Sequence, residues 1–231
     1  MSRRGTPATM AMLGLILLGF GYEVAIGAWK DPFVLAMNGA IVPPLIWDYG
    51  QYWRLLTAMF LHGDGTPQGT LLHLFVNVMS LYNIGRLFEL MFGSRRFLLI
   101  YFLAGLAASI TSALHIDGSS VGASGAIFGI LGALVSSILR SPRFRRDKMA
   151  RSILNQCVFW MVANIAIGFS IPQIDNAAHI GGLIAGLILG ALVPQRTLPP
   201  IPPAEVVVDV SPYGAPSEDP AARTDDRLPR G

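Results

Sequence analysis

Charge is scarce in this sequence. Asp, Glu, Lys and Arg make up 13% of its 231 residues, against about 25% in an ordinary soluble domain, so the chain lacks the polar surface to cover a water-exposed fold. Cysteine is nearly absent: Cys157 stands alone, which excludes an intrachain disulfide and a cysteine-built metal cluster. Set in an apolar run, it reads as a small packing residue. Internal repeats and a glycine-rich nucleotide loop are missing too. The net charge of +3 does not point to nucleic acid, because the basic residues are distributed in another way, described below. What the chain has in abundance is apolar sequence: 52% of residues are hydrophobic and the mean hydropathy is +0.52. The apolar blocks approach the roughly 20 residues that span a bilayer. The fold class expected is an all-α polytopic membrane protein.

Six apolar runs qualify as spans, approximately Ala8–Trp29, Thr70–Gly93, Phe97–His115, Ser119–Leu139, Ala150–Phe169 and Asn176–Val193. Between the first two lies Lys30–Met59, rich in Pro32, Pro43, Pro44, Trp47, Tyr49, Tyr52 and Trp53, a composition suited to a long loop lying in the membrane interface. With the N-terminus cytoplasmic, the inside segments collect every basic residue except Lys30 and Arg54. The loop RSPRFRRDKMAR, Arg140–Arg151, is then a topology signal beside anionic lipid. Both termini are expected in the cytoplasm. A cleaved signal peptide at Arg3-Arg4 and the following apolar run is the rival reading, but it leaves five spans with loops on awkward sides. The expected organisation is a cytoplasmic N-terminus over 1–7, a six-helix membrane domain over 8–193 and a proline-rich disordered cytoplasmic tail over 194–231.

Polar residues inside spans are costly and are functional candidates by default. His73 and Asn77 fall a turn or two into span two, Ser124 a similar way into span four, and His179 about a turn into span six. Under the six-span topology all four share one depth, within about 5–12 Å of the outer boundary. Spans four and six also carry stripes of small residues: Gly125, Gly129 and Gly132 on one, Ala178, Gly182, Gly186 and Gly190 on the other. Two such bare faces let backbones approach closely, which brings a Ser124 hydroxyl within reach of His179. That is the minimum for nucleophilic catalysis: a hydroxyl, a base of suitable pKa, and donors for an oxyanion from His73, Asn77 and the Ser124 backbone N–H. Each residue alone has a plainer reading, as packing serine, carbonyl-bound histidine or helix-to-helix glue. Their common depth on three helices is what favours chemistry. His62 and His115, at span ends, read as interfacial residues. A metal site built on the histidines would lack carboxylate or cysteine ligands apart from the loop residues Asp64, Asp117 and Asp175. No metal or cofactor is expected.

The segments GASG (Gly122–Gly125), HLFVN (His73–Asn77) and AHIGG (Ala178–Gly182), with Trp53-Arg54 and GRLFE (Gly85–Glu89), resemble motifs of the rhomboid family of intramembrane serine proteases. The resemblance runs from about Ala8 to Val193. It implies a six-helix, rhomboid-like bundle and a serine–histidine dyad without a third acidic member. Carried over, Ser124 is the nucleophile, His179 the base, and His73 and Asn77 oxyanion donors; Gly122 gives room beside the nucleophile, with Gly125 and Phe128 in support. The implied activity is an endopeptidase that cuts transmembrane protein substrates near the outer face of the bilayer. Nucleic acid is not an expected partner, and the oligomeric state is left open. A multi-pass protein of the bacterial inner membrane suits the short loops. Two departures stand out: GDGTPQGT (Gly63–Thr70) lengthens the approach to His73, and Phe128 occupies a position where many relatives carry tyrosine. Glu89 lies about 24 Å along its helix from His73 and reads as structural, pairing with a nearby arginine. A rhomboid-like protein that binds clients without cleaving them and a small transporter are the rival functions; the first normally lacks the serine or histidine, and the second wants paired buried acids.

Overall fold

The computed structural model describes residues 5–171 and 173–192. Among them there is no β-strand, only an isolated antiparallel bridge between Ile41 and Ser120. The elements are α1 (Pro7–Ile26), the short α2 (Pro32–Met37), α3 (Pro43–Trp47) and α4 (Arg54–Thr57), then α5 (Pro67–Ser80), a π-helical turn (Leu81–Gly85), α6 (Arg86–Phe92), α7 (Ser94–His115), α8 (Ser124–Arg140), α9 (Pro142–Arg146), α10 (Lys148–Gly168) and α11 (Asn176–Ala191). Among the described residues four helices are long and apolar enough to cross a membrane: α1, the continuous α5–α6 rod from Pro67 to Phe92, α7 and α10. The apolar α8 and α11 are shorter, at 17 and 16 residues. The proposed tail, and the last residue of the expected sixth span, lie outside the described residues.

Helix boundaries follow from local chemistry. Pro7 opens α1, where its missing N–H costs nothing, and Gly27 at φ 82° closes it in the left-handed conformation. The next N–H groups of α1 have no partner within the helix. Glu89 on α6 supplies one: its carboxylate accepts from Ala8 N–H (3.0 Å), Thr9 N–H (2.7 Å) and the Thr9 hydroxyl (2.6 Å). Ser94 Oγ donates to the same carboxylate at 2.6 Å. The expected partner of Glu89, an arginine, is therefore replaced by a helix N-terminus, whose unpaired N–H groups and dipole suit an anion.

The first loop is built on Arg54, which is only 1% exposed. Its guanidinium donates to the carbonyls of Ala36 (2.6 Å), Met37 (3.0 Å) and Ala40 (2.9 Å) and to Gln51 Oε1 (2.7 Å). It collects the orphan carbonyls at the end of α2, a task that suits five fixed donors. The lengthened GDGTPQGT segment becomes a capping turn. Thr66 accepts from Gly69 N–H at 3.1 Å, and Asp64 Oδ1 accepts from Thr66 N–H at 3.2 Å. Thr70 Oγ accepts from Asp64 N–H at 3.0 Å and donates to Trp29 O at 2.7 Å. The helix consequently starts at Pro67, three residues before the expected Thr70, with proline at its first position.

The centre of the fold is α8, packed on α7 and α11. A methyl at Gly182 or Gly186 would run into the carbonyls of Gly125 and Gly129, and one at Gly129 into Ala104 on α7. The two small-residue stripes thus face each other, backbone against backbone. The fourth span differs from expectation at its start: the helix begins at Ser124, not Ser119. Residues 119–123 are held outside it, Gly122 at φ 132° with its N–H donated to Ala58 O at 2.8 Å.

Candidate functional site

Ser124 is the first residue of α8, so its N–H and the next ones have no acceptor within the helix. The sequence reading put it a turn or more inside its span; the helix in fact starts at the serine itself. His179 lies in the first turn of α11, and the close α8–α11 contact brings its ring over the serine. The Ser124 hydroxyl lies within hydrogen-bond distance of His179 Nε2, at 2.9 Å. In the neutral tautomer with hydrogen on Nδ1, Nε2 accepts from the hydroxyl; Nδ1 is buried with no hydrogen-bond partner among the described residues. Phe128, one turn below Ser124, stacks on the imidazole with ring centroids 4.3 Å apart and planes 9° from parallel. Where a tyrosine was the common alternative, the phenyl face alone orients the ring.

Asp175 holds the start of α11. Its Oδ1 accepts from Ala178 N–H at 2.9 Å, and its Oδ2 accepts the Ser112 hydroxyl of α7 at 2.5 Å. One carboxylate thus caps the helix that carries His179 and ties it to α7, without bonding the imidazole.

His73 and Asn77 stand one turn apart on α5. His73 Nδ1 donates to His62 O at 3.1 Å, so Nε2 faces the glycine turn: a Cβ on Gly122 would lie 2.8 Å from it. Only glycine leaves room there, and φ 132° independently requires it. With Nδ1–H committed to a carbonyl, a neutral His73 presents a bare Nε2 toward the serine turn; only the imidazolium donates from both nitrogens. Asn77 is buried, 3% exposed. Its Nδ2 donates to His73 O at 2.9 Å, leaving a second amide hydrogen, and its Oδ1 has no partner among the described residues. His73, Asn77, Gly122, Gly125, Ser124, Phe128 and His179 line one cavity of about 1920 Å³, which continues between α5 and α10.

The sequence reading passed over two contributors. His62, assigned to the interface, is fully buried. Its Nε2 accepts from Ala123 N–H at 3.4 Å, its carbonyl holds His73, and its ring lies 5.1 Å from the His73 ring. Burial pushes its pKa down to about 3, with His73 beside it acting in the same direction, so the ring is neutral. Glu23 on α1 is also fully buried, and its Oε1 accepts from His62 N–H at 2.8 Å and Gly63 N–H at 2.7 Å. The signal for Glu23 was present: the rule that flags ionisable residues inside spans applies to a glutamate in α1 as it does to His73. His115 remains at the surface, donating to Thr111 O within its own helix at 2.7 Å. Among the described residues no three His, Cys, Asp or Glu side chains converge as a metal ligand set.

A family model described as the Rhomboid domain matches residues 49–196. The Rhomboid protease GluP of Bacillus subtilis is 42% identical over 176 residues, covering 76% of this chain and 32% of that protein. RHOMBOID-like protein 5 of Arabidopsis thaliana is 37% identical over 161 residues, 68% of this chain and 49% of the relative. Another Arabidopsis relative, named Inactive RHOMBOID-like protein 8, is 36% identical over 136 residues, 58% of this chain and 36% of its own length. The chain spans a third to a half of the length of the curated relatives it matches. Similarity of this degree extends to a relative named as inactive, so activity has to be argued from the site. With its motif residues set around one cavity in an all-helical integral membrane fold, the chain belongs to the rhomboid family.

Proposed function

We propose that this protein is an intramembrane serine endopeptidase that cuts transmembrane segments of membrane proteins. The observation that carries the reading is the 2.9 Å bond from the Ser124 hydroxyl to His179 Nε2, within the range a general base needs. The Ser124 proton passes to Nε2 as Oγ bonds to the substrate carbonyl carbon, and the π electrons move to the carbonyl oxygen. The Ser124 N–H and the free Asn77 amide hydrogen supply donors to that oxygen, with the α8 N-terminus behind them, and His73 Nε2 joins them in the tautomer that carries its hydrogen there. Collapse of the intermediate breaks the C–N bond, and the leaving amine takes the proton from His179. A water molecule then gives a proton to His179 as its oxygen attacks the acyl ester; the C–Oγ bond breaks and Ser124 Oγ takes that proton from His179, freeing the carboxylic acid product. Phe128 keeps the ring in plane with this transfer, and Gly122 and Gly125 provide room. The scissile bond has to be unwound from helix, because a helix hides its carbonyls.

The positive-inside pattern supports an orientation with both termini cytoplasmic and the Ser124 end of the bundle at the outer face, as in a bacterial inner membrane. The partners are then the bilayer and single transmembrane substrates, with the membrane domain running over 8–193. A client-binding protein without catalysis is the second reading, favoured only by the relative named as inactive; the paired serine and histidine speak against it.

The test is labelling with a fluorophosphonate probe, together with cleavage of a panel of single-span substrates. Labelling is expected in the parent protein and absent in Ser124→Ala. Cleavage should fall by about 10⁶-fold in Ser124→Ala or His179→Ala, as for other dyads and triads acting as a unit. Asn77→Ala should lower turnover by roughly 10²–10³ with substrate affinity retained. Undiminished cleavage by the Ser124 variant overturns the assignment.

A further inference from the structure

The cavity that holds Ser124 does not end at the chemistry. It continues between α5 and α10, where it is lined by Ser80 and Asn83 from one side and Ser152 and Gln156 from the other. Measured from the Ser124-side end of each helix at about 1.5 Å per residue, Ser80 and Asn83 lie about 20 and 24 Å down the α5 rod, and Gln156 and Ser152 about 18 and 24 Å down α10. The end of α10 is fixed to that side by Asn176 Nδ2, which donates to Ile165 O at 3.1 Å. The four polar residues therefore form a band at one depth, about 9–15 Å beyond His73.

Among the described residues nothing across the cleft satisfies them. Asn83 Nδ2 donates to Met79 O of its own rod at 2.9 Å, and Gln156 Nε2 donates to Ser152 Oγ of its own helix at 3.2 Å. Each carboxamide keeps a further donor hydrogen and acceptor lone pairs. Leu72 and Phe75 also line the cleft, whereas Phe159 and Val162 of α10 lie outside it, each 62% exposed. Polar side chains within spans usually face protein or a pathway rather than lipid. Here they face an open cleft continuous with the serine.

Resting on the protease reading, we propose that this band reads the substrate: the occupant of the cleft is one transmembrane helix that carries an Asn, Gln or Ser side chain on the deeper side of the cut. A helical segment descending 9–15 Å from the site covers about six to ten residues, which sets where that polar residue belongs. Asn83 and Gln156 are specificity-determining residues that bond it from either side, and an all-apolar segment leaves them unpaired.

The experiment uses the full chain in liposomes and a single-span reporter in which the residue eight positions to the deeper side of the cut is Asn or Leu. Hydrogen bonds between membrane helices average a modest strength, so the Asn reporter should have kcat/KM roughly threefold, and at most about twentyfold, above the Leu reporter. In Asn83→Leu with Gln156→Leu that ratio should fall to about one, and each single variant should lower it partway. The ratio is taken within each protein, so a general loss of activity does not disturb it. The same ratio is read as affinity, by energy transfer from labelled reporter to labelled Ser124→Ala protein, which needs no turnover. Absence of cleavage of both reporters with a retained affinity ratio sinks the protease reading and keeps the band. A ratio near one in the parent protein, or one unchanged in the double variant, overturns the band.

Discussion

The α7–α8–α11 side of the molecule and the α5–α10 side are built on opposite rules. On the first, glycine and alanine remove side chains until backbones touch, and the helices have no room to move. On the second, side chains of two helices face each other across a cavity. The serine and histidine sit on the first side; the partners that approach them from α5, His73 and Asn77, sit at the edge of the second. A hydrogen bond of 2.9 Å between residues on different helices demands a support that does not breathe. A substrate helix demands a wall that can yield. The protein separates the two requirements instead of compromising between them.

The difference can be broken from the rigid side first. Gly186→Leu places a branched side chain against the Gly129 carbonyl. Overpacking costs about 1–3 kcal/mol, and a shift of about 1 Å between reacting groups costs on the order of 10²-fold in rate. We expect cleavage and probe labelling to drop at least that much while the protein still inserts; a variant of normal activity would mean that the close contact does not set the dyad.

A second, smaller effect tests the brace behind His73. Glu23→Ala removes the acceptor of two buried N–H groups, a loss of about 2–3 kcal/mol, read as a lower midpoint of thermal unfolding in detergent. His62 gives the same brace a pH dependence. Its folded pKa near 3 lies below the unfolded value of about 6.5. At neutral pH both states are uncharged and nothing is lost; as pH falls through 6.5 toward 3 the unfolded chain takes up the proton first, so stability declines. Between pH 6.5 and 5 the decline should approach about 2 kcal/mol, and His62→Phe should flatten it.

The yielding side supplies the smallest effect. Val162→Ala, on the outward face of α10 at 62% exposure, should change stability by no more than about 0.5 kcal/mol and leave cleavage within twofold. A large loss there would show that α10 is as tightly seated as α11.

Periodic features were readable before the structure. The glycine spacing of AHIGGLIAGLILG requires only a helix to become a bare face, and a face that bare requires a neighbour. The grouping of Ser124 with His73, Asn77 and His179 was argued from helix rise and direction, with a start for the fourth span that lay five residues before the helix begins. Contacts without a period were not readable. Glu23 stands out as an ionisable residue within a span, but no pattern in either segment announces its contact with the His62 backbone 39 positions away. Glu89 was assigned to an arginine because arginines adjoin it in sequence, whereas the unpaired N–H groups of α1 compete for the same carboxylate and are closer in space. The start of α5 was legible but missed: Thr66-Pro67 is a cap followed by a first-turn proline, and the apolar run drew the boundary inward instead.

The π-helical turn at Leu81–Gly85 acts as a phase shifter within one rod. A turn of i→i+5 bonding absorbs one extra residue, so everything after it lags by about 100° of rotation relative to a plain α-helix. His73 and Asn77 must look toward the serine, and Glu89 must look toward the foot of α1. A single straight helix has one phase for both ends; this one carries two, and each end answers to its own neighbour.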